Sequence, residues 1–318
     1  MKSEKIFLLF FLLPIITVET GVFDFINVFR DKDDLRPFDY LEFEDDLRKS
    51  LYGQHIAVEL ILEAVFWFMK TPNPSKPLVL SLHGSAGVGK TYVTKIIARN
   101  IYEMGEKSKH VHTFIAKYHF PYLAKIKMYK AQLKQWIYGN VSSFPRSMFI
   151  FEQTDYMNPL LIEAIKHFLE CTAHVDGVSF RKAIFIFISN TGQTEINNIA
   201  LNFWREGKGR EEIHMNSKGM ETQIYQDIFS NKYSGFWHSC LIDENLVDDY
   251  IPFLPLELKH VRQCVLAEMA NMNINKDQYP DFADTVARKM YFFPPEEKIF
   301  SVKGCKTVKE LLRMYLDQ

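Results

Sequence analysis

The residues with the clearest chemistry lie between Gly84 and Thr91, where glycines and small side chains precede a lysine and a hydroxyl. They fit the pattern G-x-x-x-x-G-K-[ST], and in order they are Gly84, Ser85, Ala86, Gly87, Val88, Gly89, Lys90 and Thr91. Because glycine has no side chain, its backbone N–H groups are able to wrap a phosphate chain at the start of a helix. We expect Lys90 to reach the β- and γ-phosphates and the Thr91 hydroxyl to bind Mg²⁺. The pattern therefore predicts a Walker A site for ATP and Mg²⁺.

A second pair of polar residues, Glu152 and Gln153, follows the apolar run Ser147–Phe151. In a nucleotide-hydrolysing fold this position is Walker B, a strand that ends in two acids. The first acid holds Mg²⁺, and the second polarises the attacking water. Glu152 is able to serve the metal, but the amide of Gln153 accepts hydrogen bonds without taking a proton at neutral pH.

Two further residues complete the candidate catalytic set. Asn190 follows the apolar run Ala183–Ile188, where its amide is placed to touch the γ-phosphate and the attacking water; an Asn after a strand is also a common turn residue. Lys306 lies in the turn Lys303–Lys306, ahead of the last predicted helix. From there a cation is able to reach bound phosphates, although spacing alone is equally typical of a solvated basic turn.

For these side chains to form one site, the fold must bring the ends of the strands that precede them close together. The runs Leu78–Leu82, Ser147–Phe151 and Ala183–Ile188 are continuous and apolar, as in parallel strands buried on both faces. Apolar residues recur at helical spacing over Leu47–Met69, with a break at Gly53. We predict an α/β fold, a P-loop parallel sheet flanked by helices, with a small helical domain at the C-terminus.

Length and charge limit the possible classes of protein. The chain has 318 residues and a mass of 37.4 kDa, which suits two globular domains. Its 38 basic and 39 acidic residues nearly balance, so the composition gives no excess of positive charge that would indicate nucleic-acid binding. We divide it into a signal or membrane-anchoring segment at 1–20, a nucleotide-binding domain at 21–251 and a helical domain at 252–318. The remaining predicted elements are a strand and loop at His110–Phe120 and helices at Ala131–Tyr138, Leu256–Met269, Asp281–Met290 and Thr307–Leu316.

The N-terminus has the layout of a secretory signal, with Lys2 and Lys5 ahead of the apolar run Ile6–Val18. The run is shorter than the ~20 residues of a membrane span. Cleavage near Thr20 and retention as a membrane-surface anchor are both compatible with it. Entry into the secretory pathway would make Asn140, in the tripeptide Asn-Val-Ser, a glycosylation acceptor.

Six stretches of the chain resemble torsins, which are AAA+ ATPases related to the Clp and Hsp100 unfoldases. The similarity runs from about Asp46 almost to the C-terminus. It implies residence in the lumen of the endoplasmic reticulum and nuclear envelope, with possible attachment to the membrane through the N-terminus. The stretches are Phe149–Asp155, Asp176–Ser179, Ala200–Arg205, Ser234–Ser239, Ile251–Glu257 and Lys303–Val308.

The resemblance also implies roles for single residues. It implies that Cys264 and Cys305 are a redox-sensitive pair near the nucleotide, and an oxidising lumen would permit a disulfide between them. Considered alone, Cys264 could also be a thiol packed in the core. The other roles are Walker A for Lys90 and Thr91, Walker B for Glu152 and Gln153, sensor 1 for Asn190 and sensor 2 for Lys306.

Partners follow from the same resemblance. Torsins lack an arginine finger of their own, so a membrane-anchored luminal activator that supplies one is implied, together with protein clients and a homo- or hetero-oligomer. Nucleic acid is not an expected partner.

Two positions depart from the family pattern. Thr91 replaces the usual Asn, and Gln153 replaces the second Walker B acid. The leading hypothesis is an ATP-dependent chaperone or remodelling factor. The alternative is a pseudo-ATPase scaffold that binds ATP but hydrolyses it poorly, since loss of a general base costs roughly 10²–10⁴-fold in rate. A generic P-loop kinase is disfavoured by the helical C-terminal region and its terminal lysine.

Overall fold

The computed structural model describes residues 34–171, 174–215, 219–230, 236, 239–274 and 281–316. The predicted signal or anchoring segment at 1–20 lies outside these residues, as does most of the torsin-like stretch Ser234–Ser239. Within the described ranges, none of the helices is both long enough and apolar enough to cross a membrane.

Five strands form the main sheet and two more form a small hairpin. The strands are β1 (Leu78–Gly84), β2 (Val111–Ile115), β3 (Met148–Glu152), β4 (Ile184–Ser189), β5 (Asp249–Phe253), β6 (Phe292–Phe293) and β7 (Phe300–Ser301). The main sheet has the order β2-β3-β4-β1-β5 and every neighbouring pair is parallel. All its strands therefore end at one edge, so the loops after β1, β3 and β4 lie beside one another.

Helices cover both faces of this sheet. They are α1 (Tyr40–Ser50), α2 (His55–Lys70), α3 (Lys90–Ile101), α4 (Ala116–His119), α5 (Ile126–Ser143), α6 (Pro159–Leu169), α7 (Gln193–Arg205), α8 (Met220–Ser230), α9 (Cys240–Asp243), α10 (Leu258–Asn271), α11 (Phe282–Arg288) and α12 (Val308–Leu316). Short 3₁₀ turns occur at Gly105–Lys107, Leu123–Lys125, Thr154–Tyr156 and Arg210–Glu212.

Along β3 and β4 the side chains alternate between the two faces of the sheet, so isoleucines lie on one face and phenylalanines on the other. Ile150 and Ile186 face the cluster formed with α1–α3 and the C-terminal helices. The phenylalanines face the opposite cluster, where Phe151 and Phe187 stack with ring centroids 5.1 Å apart. Because successive residues of a strand point to opposite faces, these apolar runs fill both layers at once.

Two helical predictions differ from the structure in their bounds. The pattern over Leu47–Met69 belongs to two helices, α1 and α2, because the chain turns at Gly53 with a φ of 67°. Glycine adopts this left-handed conformation without steric cost. The helix predicted at Ala131–Tyr138 is longer, since α5 begins at Ile126 and ends at Ser143.

The C-terminal helices share a core with the sheet. Val265 of α10 and Leu312 of α12 are fully buried in the same apolar cluster as Leu82 of β1. Strand β5 was not predicted, and it continues to Phe253, two residues past the expected boundary at 251. The division of the chain into a nucleotide-binding domain and a helical domain stays a prediction.

Candidate nucleotide site

The glycine-rich loop connects β1 to α3 at the carboxyl edge of the sheet. Gly84 ends β1 with a φ of 141°, and Gly89 has a φ of 111° immediately before Lys90 begins α3. A Cβ atom at Gly84 would lie 2.5 Å from the carbonyl oxygen of Phe253. The loop thus requires glycine for its conformation and for its close packing, and it exposes backbone N–H groups at a helix N-terminus.

Lys90 is buried and points back into this loop. Its ammonium group donates hydrogen bonds to the carbonyl oxygens of Gly84 at 2.6 Å and Ser85 at 2.7 Å, and to Oδ1 of Asn190 at 3.1 Å. Burial lowers the pKa of Lys90 to about 7, while the carboxylates of Asp155 and Glu152 oppose that shift. An anionic ligand beside Lys90 would favour its protonated form and raise its pKa again.

The end of β3 places Glu152 and Gln153 beside the same cavity as Thr91. Gln153 has a φ of 58°, an uncommon conformation for a residue with a side chain. Its Oε1 is buried without a hydrogen-bond partner among the described residues. Glu152 and the exposed Thr91 are two of several residues with side-chain oxygens that line the cavity. Their role as ligands of a divalent cation stays a prediction.

Asp155, two residues beyond Gln153, positions Asn190. One carboxylate oxygen accepts hydrogen bonds from the backbone N–H of Asn190 and from the Ser189 hydroxyl, each at 3.2 Å. This contact joins the loops that follow β3 and β4. Nothing in the spacing of the sequence indicates that Asp155 folds back onto a strand end 35 residues away.

The turn that carries Lys306 packs directly on the glycine-rich loop. The Cys305 N–H donates a hydrogen bond of 2.9 Å to the carbonyl oxygen of Gly87. Gly87 and Gly304 approach so closely that a Cβ on either would overlap with backbone of the other segment. Lys306 is exposed and lines the cavity, so the structure brings it to the loop that contains Lys90.

A disulfide joins Cys264 of α10 to Cys305, with Cα atoms 6.1 Å apart. Both cysteines line the cavity. The bond therefore connects the turn that carries Lys306 to α10 beside the site.

The cavity has a volume of about 660 Å³ and extends from the glycine-rich loop to Leu51, Tyr52 and α10. Ala86 to Thr91 all line it, whereas Gly84 and Ser85 contribute the carbonyl groups that hold Lys90. Ile56, near the start of α2, is packed in the core cluster beside α5 and α6 and does not line the cavity.

Two buried polar residues, which no sequence pattern indicated, hydrogen-bond to backbone carbonyl groups in and around the turn at Gly53. Gln54 donates hydrogen bonds to the carbonyl oxygens of Val88 at 3.1 Å and Leu254 at 2.8 Å. Arg210 donates to the carbonyl oxygens of Gly53 and Pro255, and burial lowers its pKa to about 10. They connect the Tyr52 end of the cavity to the glycine-rich loop and to the start of α10.

Asn140 lies away from this site, on α5. It is half-buried, and its amide nitrogen donates a hydrogen bond of 2.8 Å to the carbonyl oxygen of Trp136. Ser142 of the same tripeptide is exposed. Glycosylation of Asn140 stays a prediction.

Two family models match the chain. The model described as Torsin matches residues 25–151, and the model described as Torsin-1A, C-terminal domain, matches residues 256–315. Together the two ranges cover more than half of the chain. The first includes the glycine-rich loop and the second includes the disulfide and Lys306.

Solved structures of Hsp104 share the fold. The S. cerevisiae Hsp104-ADP complex gives a TM-score of 0.60 at 17% sequence identity, over 87% of this chain and 47% of the Hsp104 chain. A closed-state cryo-EM reconstruction of Hsp104 with ATPγS and FITC casein gives 0.59 at 16% identity, over 86% and 46%. The chain thus spans about half the length of these Hsp104 chains. The likeness confirms the predicted α/β fold class, a parallel sheet flanked by helices in the AAA+ arrangement.

Proposed function

Because the chain belongs to the torsin family of AAA+ ATPases, we propose that it binds ATP with Mg²⁺ and uses the nucleotide to remodel protein partners. One observation carries the proposal: Lys90, Glu152 and Lys306, from three distant parts of the sequence, line one cavity at the edge of the sheet. Two cations and a carboxylate in one cavity suit a phosphate chain with its metal ion.

Each residue has a task in this proposal. Lys90 exchanges its carbonyl partners for phosphate oxygens, and the backbone N–H groups from Gly87 to Lys90 surround the phosphates. Thr91 and Glu152 hold Mg²⁺, whose charge offsets that of the phosphates when it is bound. Asn190, fixed by Asp155, orients the attacking water, and Lys306 is placed beside the glycine-rich loop to contact the phosphates.

Gln153 supports the pseudo-ATPase as a second candidate function. Its unpaired Oε1 accepts a hydrogen bond from a water molecule, which orients that water, but an amide takes up no proton at neutral pH. ATP binding is unaffected by this defect, because water activation acts in the transition state. The two candidates therefore differ in turnover and not in affinity.

Location and partners extend the proposal. We place the protein in the lumen of the endoplasmic reticulum and nuclear envelope, with a membrane-anchored luminal activator that supplies an arginine finger. Assembly into a homo- or hetero-oligomer accompanies this activity. A protein client is supported by the Hsp104 structure solved with FITC casein, which has the same fold. The Cys264–Cys305 disulfide is proposed to tune nucleotide affinity with the redox state.

The test compares nucleotide binding with turnover. ATP affinity is measured by titration calorimetry, and steady-state hydrolysis is measured with and without the luminal activator. Saturable, Mg²⁺-dependent binding supports the proposal, and stimulated hydrolysis assigns the remodelling ATPase. Tight binding with no turnover assigns the pseudo-ATPase, while absence of ATP binding contradicts both.

A further inference from the structure

The turn that carries Asn190 is held in place by more than Asp155. We name residues 189–192, between β4 and α7, the Asn190 turn. Within it, the Ser189 hydroxyl accepts a hydrogen bond of 3.0 Å from the backbone N–H of Thr191, and the hydroxyl oxygens of these two residues lie 2.9 Å apart. Asn190 lies between them in the chain, so the conformation of the turn sets the position of its side-chain amide.

A carboxylate from helix α8 holds the far end of the Asn190 turn. Oδ2 of Asp227 accepts a hydrogen bond of 2.7 Å from the backbone N–H of Gly192, which has a φ of 83° and directly precedes α7. The first N–H groups of a helix have no partner within the helix, and the helix dipole also favours a carboxylate at this end. Asp227 therefore fixes the last residue of the turn from a helix 35 residues further along the chain.

A second carboxyl group holds Asp227 in turn. Glu195, in the first turn of α7, forms a side-chain hydrogen bond with Asp227. Burial raises the pKa of Glu195, and the charge of Asp227 adds to this shift. The protonated form that is thereby favoured has a hydroxyl to donate to the Asp227 carboxylate. Asp227 is thus placed between Glu195 and the Gly192 N–H.

A second route from α8 reaches the same turn through aromatic rings. Tyr225 of α8 packs edge-on against Tyr250 of β5, with 5.0 Å between the ring centroids. Tyr250 also lies 5.9 Å from the ring of His83, which is fully buried. His83 donates a hydrogen bond of 3.0 Å to the carbonyl oxygen of Thr191. Helix α8 therefore reaches the Asn190 turn directly at Gly192 and, through two rings, at Thr191.

We propose that Asp227 is a positioning residue for ATP hydrolysis, which couples the placement of helix α8 to that of the Asn190 amide. Asn190 accepts a hydrogen bond from Lys90 and, in the proposed function, orients the attacking water. Release of the Gly192 N–H would free one end of the turn and misplace this amide. A misplaced group lowers the rate of the chemical step more than the affinity for ATP, because the water is oriented in the transition state.

The inference rests on the proposed function and adds an element that lies outside the nucleotide site. None of the described residues of α8 lines the cavity, so α8 has no direct contact through which to bind ATP. An effect of Asp227 on turnover would therefore have to pass through the Asn190 turn.

The test measures ATP affinity and turnover in a Gln153→Glu background, where hydrolysis is easier to detect. Asp227→Ala removes the acceptor for the Gly192 N–H, whereas Asp227→Asn keeps an oxygen at that place. The matched control is Gln226→Ala, which truncates the exposed neighbour of Asp227 on the same helix. Asp227→Ala is also combined with Asn190→Ala in a double-mutant cycle. Circular dichroism and urea unfolding verify that each variant is folded.

We expect Asp227→Ala to lower kcat about tenfold, the effect of losing one hydrogen bond to a charged group, and to leave the Kd for ATP within about twofold. Asp227→Asn should restore kcat to within about threefold of the background, and Gln226→Ala should leave it unchanged. In the Asn190→Ala background, Asp227→Ala should cause no further loss, because the amide that it positions is gone. Amide hydrogen exchange of the Asn190 turn should be faster in Asp227→Ala than in Gln226→Ala.

An equal loss of turnover with and without the Asn190 amide would overturn the inference, because a purely structural role of Asp227 gives additive effects. An unchanged kcat in Asp227→Ala, a loss confined to Kd, or unchanged hydrogen exchange of the turn would do the same. If Asp227→Ala does not fold, Asp227→Glu takes its place with the same expected results, since it displaces the carboxylate by one methylene group.

The same assays separate this inference from the proposed function. Hydrolysis that does not respond to Asp227 overturns the inference alone and leaves the ATPase in place. Absence of hydrolysis in the Gln153→Glu protein contradicts the ATPase itself, and the inference falls with it.

Discussion

The carboxylate of Asp155 and the backbone N–H of Asn190 are joined by a hydrogen bond of 3.2 Å. Since Asn190 also accepts a hydrogen bond from Lys90, a single chain of contacts runs from the turn after β3 to the lysine of the glycine-rich loop. The geometry of the water-orienting amide thus depends on a residue that touches neither nucleotide nor metal in our proposal.

Substitution of Asp155 should lower turnover, because Asp155 positions Asn190, and should leave ATP affinity nearly unchanged. Asp155→Ala removes the acceptor for the Asn190 N–H, and loss of a hydrogen bond to a charged group, ~1.5 kcal/mol, corresponds to about tenfold in turnover. Asp155→Asn keeps an oxygen at the same place and should retain most of the activity. Both variants are assayed in a Gln153→Glu background, where turnover is easier to measure. Equal losses in the two variants would assign the effect to the charge of Asp155.

Lys90→Ala should abolish ATP binding, because Lys90 contacts the phosphates in the ground state. Gln153→Glu should raise hydrolysis by roughly 10²-fold or more with little change in affinity, since a carboxylate adds a proton acceptor in the transition state. Calorimetry and steady-state kinetics measure the two effects. A wild-type chain that already matches the Gln153→Glu rate would exclude the pseudo-ATPase.

Gly304→Ala should weaken ATP binding through the contact between the Lys306 turn and the glycine-rich loop. An added Cβ would overlap with the backbone of Gly87 and displace the turn. Gly207→Ala is a matched control, because Gly207 also has a positive φ but nothing lies within 4 Å of an added Cβ. The control should lose only the ~1 kcal/mol of backbone strain. A similar ATP affinity in both variants would show that the contact does not support binding.

The stability of the protein should fall below about pH 6.5, partly because of His83. This fully buried imidazole accepts a hydrogen bond from the Ser81 hydroxyl and donates one to the Thr191 carbonyl, and burial lowers its pKa to about 3. Between pH 6.5 and 3 the unfolded chain binds a proton that the folded chain does not, so the free energy of unfolding decreases as the pH falls. The slope is up to ~1.4 kcal/mol per pH unit for such a group. His83→Gln should be less stable at pH 7 but show a shallower decrease, as measured by urea unfolding at pH 7 and pH 5. Equal slopes would contradict this assignment.

Asn140 should carry a glycan when the full chain is expressed in eukaryotic cells. Endoglycosidase treatment should increase gel mobility for the wild type and not for Ser142→Ala. Fractionation of the protein with the cytosol would contradict the luminal placement.

The sequence predicted those parts of the site that local patterns encode. Strands β1, β3 and β4 are continuous apolar runs, so both they and the polar residues at their ends were found. Strand β5 was missed because it begins with an acid and contains Pro252, which is tolerated only because β5 lies at the edge of the sheet. Family resemblance, and not spacing, indicated the pairing of Cys264 with Cys305.

Contacts between distant segments could not be predicted in this way. Gln54 and Arg210 look like ordinary polar surface residues in the sequence, yet both are buried against backbone carbonyl groups. Their partners are set by the way α10 and the loop after β5 close over Gly53. No periodicity within one element contains that information.

The Cys264–Cys305 disulfide also determines how the chain would respond to mechanical force. A force applied at the C-terminus reaches α10 through the covalent bond and bypasses residues 265–304, which lie between the two cysteines. Those residues, which include α11 and the β6–β7 hairpin, cannot extend while the bond is intact. Reduction would release up to ~140 Å of additional contour length, at ~3.4 Å per residue. Reduction of the disulfide would thereby change the extensibility of the C-terminal region as well as the surroundings of Lys306.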